Sequence, residues 1–433
     1  MTRKKVNVIS LGCSKNLVDS ERLMKMLLDG GMEVVHEASS VSSGDIVVIN
    51  TCGFIGDAKE ESVNTILQWV DAKEHGLIGA VYVMGCLSER YSEELPAEIT
   101  DVDGWYGKTD WTGLVTHLVS KYPATASYDR VITTPRHHAY LKIAEGCNRF
   151  CSFCAIPLIT GRYKSRPIEE IVEEVNLLVS RGVKEFNVIA QDLTNYGVDI
   201  YGRHRIADLV DAVAKVPGVE WIRLHYAYPA GFPEDLLDVM ARNANVCKYL
   251  DIALQHVSDK VLDNMRRHIT GDETRKLLRL IREKVPGIHI RTTLMVGFPG
   301  EGEDEFAQLL DFVKEQRFER MGAFAYCEEE DTYGANKFAD DIPEEVKQAR
   351  LDRLMKLQED ISLSHQESKI GSVMKIIIDR EDSDWYIGRT EFDSPEVDPE
   401  VLVKKTCKLK RGDFYNVKIL EAYPYELVAE PVD

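Results

Sequence analysis

Short apolar runs rich in Val and Ile alternate along the chain with segments whose apolar residues recur three and four positions apart. From residue 5 to about 120, "VNVISLGC" precedes "NLVDSERLMKMLLDGG", "DIVVINTC" precedes "AKEESVNTILQWVDAKEHG", and "AVYVMGC" precedes "LSERYSEEL". The first kind of run reads as strand and the second as amphipathic helix. Their alternation predicts an α/β unit with an open parallel sheet, flavodoxin-like in kind. Prolines and small polar residues then break the rhythm in "KYPATASYDRVITTPRH", which reads as a linker over 121–137.

The alternation resumes at "AYLKIAEGC" and continues through "EFNVIAQD", "EWIRLHYAYP", "YLDIALQH", "HIRTTLMVGFPG" and "MGAFAYCEEE", with five helical patterns between the six strand-like runs. Such a series suits a partial (β/α)6 barrel, whose chemistry belongs at the C-terminal ends of its strands. A charged helical segment, "PEEVKQARLDRLMKLQEDISLSHQESK", needs a partner for its apolar stripe. Beyond Gly371 the pattern is purely β, from "SVMKIIID" to "YELVAE", and predicts a small all-β barrel. The expected division is 1–120, a linker over 121–137, 138–366 and 367–433.

Composition narrows the function. The chain has 433 residues, 44% hydrophobic and 29% charged. That is enough for several cores, and no stretch approaches the ~20 apolar residues of a membrane helix. The start "MTRKKVNVIS" lacks the apolar core of a secretory signal, so a cytoplasmic protein with no membrane partner is expected. A net charge of -19 argues against general attraction to nucleic acid. Nine cysteines in a reducing compartment point to metal rather than disulfides.

Three of the nine crowd into "EGCNRFCSFCAIP". Cys147 follows the first barrel strand, and Cys151 and Cys154 lie in the loop beyond it. Structural zinc favours four ligands, commonly two knuckles of paired thiolates, and no second pair is near. Three thiolates in a glycine-led loop suit an iron-sulfur cube with one iron left open to a small molecule. Zinc and buried core thiols are the competing readings. Cys13, Cys52 and Cys86 form a second set, for each ends a predicted parallel strand. Strand ends of an open parallel sheet converge on one edge, where ligands bind. A second three-cysteine cluster is therefore expected, with small hydrophobes at strand ends as the alternative.

The spacing CxxxCxxC, with Phe153 before its last cysteine, is similar to the motif of the radical S-adenosylmethionine enzymes. In that superfamily three cysteines hold a 4Fe-4S cluster whose open iron binds S-adenosylmethionine, and reductive cleavage yields a 5'-deoxyadenosyl radical. "SLGCSKNLVDSE", "NTCGFIGDAKEES", "VMGCLSERY", "YLKIAEGCNRFCSFCAIP", "RTTLMVGFPGE" and a TRAM-like segment from about Lys369 resemble the methylthiotransferase family over essentially the whole chain. Thr160, Ala253 and Cys327 depart from the pattern, where a basic residue, a proline and a serine are usual, but none is an expected ligand.

The resemblance implies two 4Fe-4S clusters, on Cys13, Cys52 and Cys86 and on Cys147, Cys151 and Cys154. One S-adenosylmethionine would be methyl donor and another radical source. Phe153, Gln191 at the end of "VIAQD" and Arg291 in "HIRTTLMVG" are candidate cofactor contacts, with Arg291 expected to hold the cofactor carboxylate. The resembling branch replaces a hydrogen by a methylthio group on the β-carbon of an aspartate in ribosomal protein uS12. This implies uS12 or the small ribosomal subunit as partner, with an unidentified electron donor and sulfur source. A branch that modifies adenosine in tRNA and a non-catalytic iron-sulfur RNA-binding or redox-sensing protein are the alternatives. Residues 367–433 hold ten Lys and Arg against fifteen Asp and Glu. The acidic run "EFDSPEVDPE" thus offsets the basic "VKKTCKLKR", and a basic protein surface is the better expected partner for this segment.

Overall fold

The computed structural model describes residues 5–119, 123–124 and 128–432. The chain divides into two compact units: residues up to 134 with 140–148 and 154–177, and residues 135–139 and 149–153 with 178 onward.

The first unit is built on β1 (Lys5–Ser10), β2 (Glu33–His36), β3 (Ile46–Thr51), β4 (Ala80–Gly85) and β5 (Gly104–Trp105). They pair in parallel in the order β2-β1-β3-β4-β5, the flavodoxin-like arrangement. Apolar side chains alternate between the faces. Val6, Val8, Ile46 and Val48 join Leu23 and Leu27 of α1 (Ser14–Asp29) in one core. Val47, Ile49, Val81 and Val83 join Ile66 and Val70 of α2 (Gly56–Glu74) in the other. "LSERYSEEL" forms two five-residue helices, Cys86–Arg90 and Glu94–Glu98, rather than one.

Part of the segment read as a linker, residues 121, 122 and 125–127, lies outside the described residues. Its later part is no passive tether. Arg130 is 1% exposed, donates to Glu174 Oε1 at 2.8 Å and pairs with Glu21. In the same unit β7 (Ala144–Glu145) and β8 (Lys164–Ser165) form an antiparallel pair beside Cys147.

The barrel sheet consists of β6 (His138–Lys142), β9 (Glu185–Ile189), β10 (Trp221–Ala227), β11 (Val246–Ile252), β12 (His289–Val296) and β13 (Arg320–Ala325). Its order is β13-β12-β11-β10-β9-β6, parallel from β9 to β13. All six expected strands form. In the second unit, helix Glu344–Glu367 packs on β13, and polar anchors replace much of its expected apolar stripe. Lys347 Nζ donates to the Tyr326 carbonyl (3.2 Å), Arg350 pairs with Glu301 (2.9 Å) and Gln358 donates to the Phe318 carbonyl (2.9 Å).

The C-terminal strands β14 (Val373–Glu381), β15 (Trp385–Thr390), β16 (Glu400–Lys404), β17 (Phe414–Ala422) and β18 (Glu426–Pro431) close into a barrel, β14-β15-β16-β18-β17. Buried charges join it to the parallel sheet. Glu185, fully buried at the start of β9, accepts from Arg389 (3.0 and 2.7 Å) and Arg223 (3.3 and 3.2 Å). Asp398 takes Arg291 and the Tyr249 hydroxyl (2.8 Å), Asp393 takes Arg320 (3.2 Å from Nε), and Phe392 stacks on His289 with ring centres 4.0 Å apart. Two of the five carboxylates of the acidic run are therefore turned inward, and the run offsets the basic run less at the surface. Asp393 and Asp398 are buried against arginines, whereas Lys404, Lys408, Lys410 and Arg411 are exposed.

Candidate functional site

Cys13, Cys52 and Cys86 lie just beyond the C-terminal ends of β1, β3 and β4, three adjacent strands of one sheet. Parallel pairing in register (Ser10 with Asn50, Thr51 with Gly85) places these ends side by side. Cys13 is the N-cap residue of α1. Burial pushes its thiol up, but Lys15, Lys108 and the nearby backbone N–H groups of Asn16 and Lys15 outweigh it and bring its pKa below the usual thiol value. Cys52 is pinned by Ser62, whose hydroxyl accepts from the Cys52 N–H and donates to its carbonyl, both at 3.0 Å. Burial raises the Cys52 thiol and pushes that of Cys86 up to about 11.

Close packing explains the neighbouring glycines. At Gly12 (φ +84°) a Cβ would fall 2.7 Å from Cys52 Sγ, and at Gly85 (φ +108°) it would fall 2.4 Å from Asn50 Oδ1. Both backbones need a conformation that side chains rarely tolerate, and both leave no room for one.

Around the thiols runs a chain of buried polar groups. Asn16 Oδ1 accepts from Cys86 Sγ at 3.4 Å and from Lys108 Nζ at 3.0 Å. Lys108 also pairs with Asp19 at 3.2 Å, and Asp19 in turn pairs with Lys142, which pairs with Glu145, two residues before Cys147. Lys108 is 3% and Asp19 1% exposed. Burial opposes the charge on Lys108, but Asp19, Cys86, Glu145 and Cys13 raise its pKa well above the lysine value. The site thus supplies positive charge to thiols that become anionic on binding metal.

The donor set fits a polynuclear cluster better than a single ion. Thiolates on one zinc, with bonds of about 2.3 Å, lie about 3.8 Å apart. Among the described residues only His137, His138 and Asp379 bring three such ligand atoms within 4.8 Å of one another. That trio is committed elsewhere, because Asp379 accepts from Arg389 (2.7 Å) and His137 (2.8 Å).

Of the other three cysteines, Cys147 and Cys154 belong to the first unit and Cys151 to the second. Cys147 lies five residues beyond β6, and its N–H donates to the Gly161 carbonyl at 3.2 Å. Ala155 and Ile159, just after Cys154, pack on Cys86. In the second unit Arg149 donates to Asp192 (2.6 Å), Thr194 (3.1 Å) and the Ala230 carbonyl (3.2 Å), fixing the cysteine loop to the exits of β9 and β10. Arg267 donates to Cys151 Sγ at 3.2 Å.

The remaining expected contacts separate. Gln191 lies two residues beyond β9, half-buried. Phe153 packs edge-on against Phe298 of "GFPGE", ring centres 6.3 Å apart. Arg291 is the third residue of β12, near its N-terminal end, and its guanidinium is engaged by Asp398. That position and partner count against the carboxylate-holding role expected of it. Cys247 is a core thiol, packed with Trp221, Tyr249 and Ile377 and pushed up to about 12 by burial. Cys407 and Cys327 are exposed. Sequence reading missed Asn16, Asp19, Lys108, Arg149 and Arg267. Polar residues on the buried side of α1 were the available signal for the first two.

Residues 141–313 match the Radical SAM superfamily, 5–107 the Uncharacterized protein family UPF0004 and 370–432 the TRAM domain. The chain is 58% identical over 435 residues to the ribosomal protein uS12 methylthiotransferase RimO of Porphyromonas gingivalis, covering 100% of both. It is 58% identical over 430 residues to that of Phocaeicola vulgatus, covering 99% of both. Among solved structures it is similar to the radical S-adenosylmethionine methyltransferase TsrM of Kitasatospora setae, with TM-score 0.56, 17% identity and 75% of each chain covered. The cobalamin-dependent radical enzyme OxsB gives TM-score 0.53 and 13% identity over 83% of this chain and 56% of that one. The two structural likenesses concern the fold alone. Identity this high across the whole of both chains makes the protein a member of the RimO family of radical S-adenosylmethionine methylthiotransferases.

Proposed function

We propose that the protein replaces one hydrogen on the β-carbon of an aspartate in ribosomal protein uS12 by a methylthio group. Full-length identity to RimO carries the reading. Residues 1–120 would form the sulfur-supplying domain, 138–366 the radical domain and 367–433 a TRAM domain that helps grip substrate. Cys147, Cys151 and Cys154 would hold one 4Fe-4S cluster, leaving an iron for S-adenosylmethionine, and Cys13, Cys52 and Cys86 would hold the other. When bound, these groups supply one-electron chemistry able to break an unactivated C–H bond and a sulfur atom to replace the hydrogen.

The chain's own residues bind and orient. Lys108 balances thiolate charge at the first set, Arg149 pins the loop of the second, and Gln191 lies where a cofactor contact is expected. The reaction would take place in the cytoplasm, where uS12 or the small subunit, a low-potential electron donor and a sulfur source are met. No described helix is long and apolar enough to cross a membrane.

Mass analysis of purified uS12 and of tRNA after anaerobic incubation with the enzyme, reductant, S-adenosylmethionine and sulfide tests the substrate. A methylthio gain on one uS12 aspartate is expected, and a gain on tRNA alone would replace this reading with the tRNA one.

A further inference from the structure

Arg267 is 3% exposed. A buried guanidinium needs a counter-charge, yet among the described residues Arg267 has no carboxylate within ion-pairing distance. Its Nη1 donates instead to Cys151 Sγ at 3.2 Å, and its Nη2 to the Ala253 carbonyl. The ring of Tyr228 lies 4.2 Å below the guanidinium, and its hydroxyl donates to the Arg267 carbonyl at 2.7 Å. Arg149 covers Tyr228 at 4.1 Å, so the ring is shared by two guanidinium groups, of which only Arg149 has a carboxylate. The backbone at Arg266 (φ +56°) and His268 (φ +55°) is left-handed on both sides of Arg267. Two costly conformations in three residues show how tightly the chain is held at this point.

We propose that Arg267 is a positioning residue that sets the reduction potential of the cluster held in part by Cys151, with Tyr228 fixing its guanidinium. The inference rests on Cys151 being a cluster ligand, as in the proposed function. Reduction adds one electron from a low-potential donor to the cluster, without making or breaking a bond, and increases negative charge on its sulfur ligands. A buried cation donating a hydrogen bond to one of those sulfurs stabilises the reduced form more than the oxidised one, and so makes the potential less negative. The identity of the residue follows. Arginine stays charged when buried and its planar guanidinium places one Nη on sulfur while the other holds a carbonyl, a fixed geometry that the point charge of a flexible lysine lacks.

The test is a dithionite titration of the anaerobically reconstituted full-length protein, followed by electron paramagnetic resonance. The background carries Cys13, Cys52 and Cys86 changed to Ala, so that only one cluster is read. Arg267→Met should keep its iron and shift the midpoint to a more negative potential. Arg267→Lys should fall between Met and wild type, and Tyr228→Phe should shift it in the same direction by less. An unchanged midpoint in iron-loaded Arg267→Met overturns the proposal. Loss of the cluster from both Arg267 variants also overturns it, since Arg267 would then serve assembly. The ligand assignment has its own control, for a signal that survives Cys151→Ala overturns that assignment and the tuning argument with it, whereas an unchanged midpoint in Arg267→Met overturns the tuning argument alone.

Discussion

Replacing Glu185 by Gln removes the charge on which Arg223 and Arg389 converge. Glu185 is 0% exposed and accepts four hydrogen bonds from the two guanidinium groups, from 2.7 to 3.3 Å. Burial favours its neutral form, but Arg389 and Arg223 prevail and bring its pKa from 4.5 down to about 2. A depression of about 2.5 units at 1.36 kcal/mol each is worth roughly 3 kcal/mol, which agrees with the ~3–5 kcal/mol lost when one partner of a buried pair is removed. Because the folded-state pKa is the lower one, this contribution is complete above about pH 4.5 and fades as the pH falls toward about 2.

Trp221 reports on this junction, being buried against Phe414 with ring centres 4.8 Å apart. Urea unfolding followed by tryptophan fluorescence at pH 7 should therefore show Glu185→Gln with a midpoint lower by about 1 M, for an m-value near 3 kcal/mol/M. The gap to wild type should narrow steadily below pH 4.5. Equal midpoints at pH 7, or a gap that persists undiminished at pH 2.5, would show that the charge does not hold the two elements together.

Asp19→Asn leaves the buried Lys108 and Lys142 without their shared carboxylate and should cost about 3 kcal/mol or more. Breaking the half-exposed Lys25–Asp29 pair should cost under about 1 kcal/mol, so equal costs in the same urea assay would contradict the buried-chain reading. Gly85→Ala forces a Cβ to within 2.4 Å of Asn50 Oδ1 at a positive φ, a strain and overpacking cost of roughly 2–4 kcal/mol. Iron analysis should show the Cys13, Cys52 and Cys86 cluster depleted and the other retained. Charge reversal of Lys404, Lys408, Lys410 and Arg411 to Glu should weaken capture of the small ribosomal subunit in a salt-dependent way while reductive cofactor cleavage continues, and unchanged capture would remove this loop from the substrate surface.

The strands were legible because their signal is local. All six barrel strands lie where apolar runs placed them, the segment beyond Gly371 folds into the expected all-β barrel, and Cys13, Cys52 and Cys86 lie at one sheet edge because each follows a strand of one parallel sheet. The short edge strands β2 and β5 went unseen, having four and two residues and little periodicity. What sequence could not supply was partnership across distance. Glu185 and Arg389 are 204 residues apart, and nothing local distinguishes either from a surface charge. The count of charges in residues 367–433 misled for the same reason, since it cannot tell that Asp393 and Asp398 are consumed by arginines of the parallel sheet. Arg291 went to Asp398 rather than to a cofactor by that route, and Arg130 turned part of an expected linker into a buried anchor. Removing the whole C-terminal barrel would take Arg389 from Glu185, Asp398 from Arg291 and Asp393 from Arg320, so point changes in the exposed basic loop probe its role more cleanly than truncation.

The central claim is that six cysteines divide into two sets with separate tasks. The direct measurement is parallel quantification of iron, 5'-deoxyadenosine and methylthiolated uS12 for the reconstituted Cys13→Ala, Cys52→Ala, Cys86→Ala triple variant. The account predicts loss of about half the iron, continued cleavage of S-adenosylmethionine and no methylthiolated product. Full methylthiolation of uS12 by this variant would contradict it.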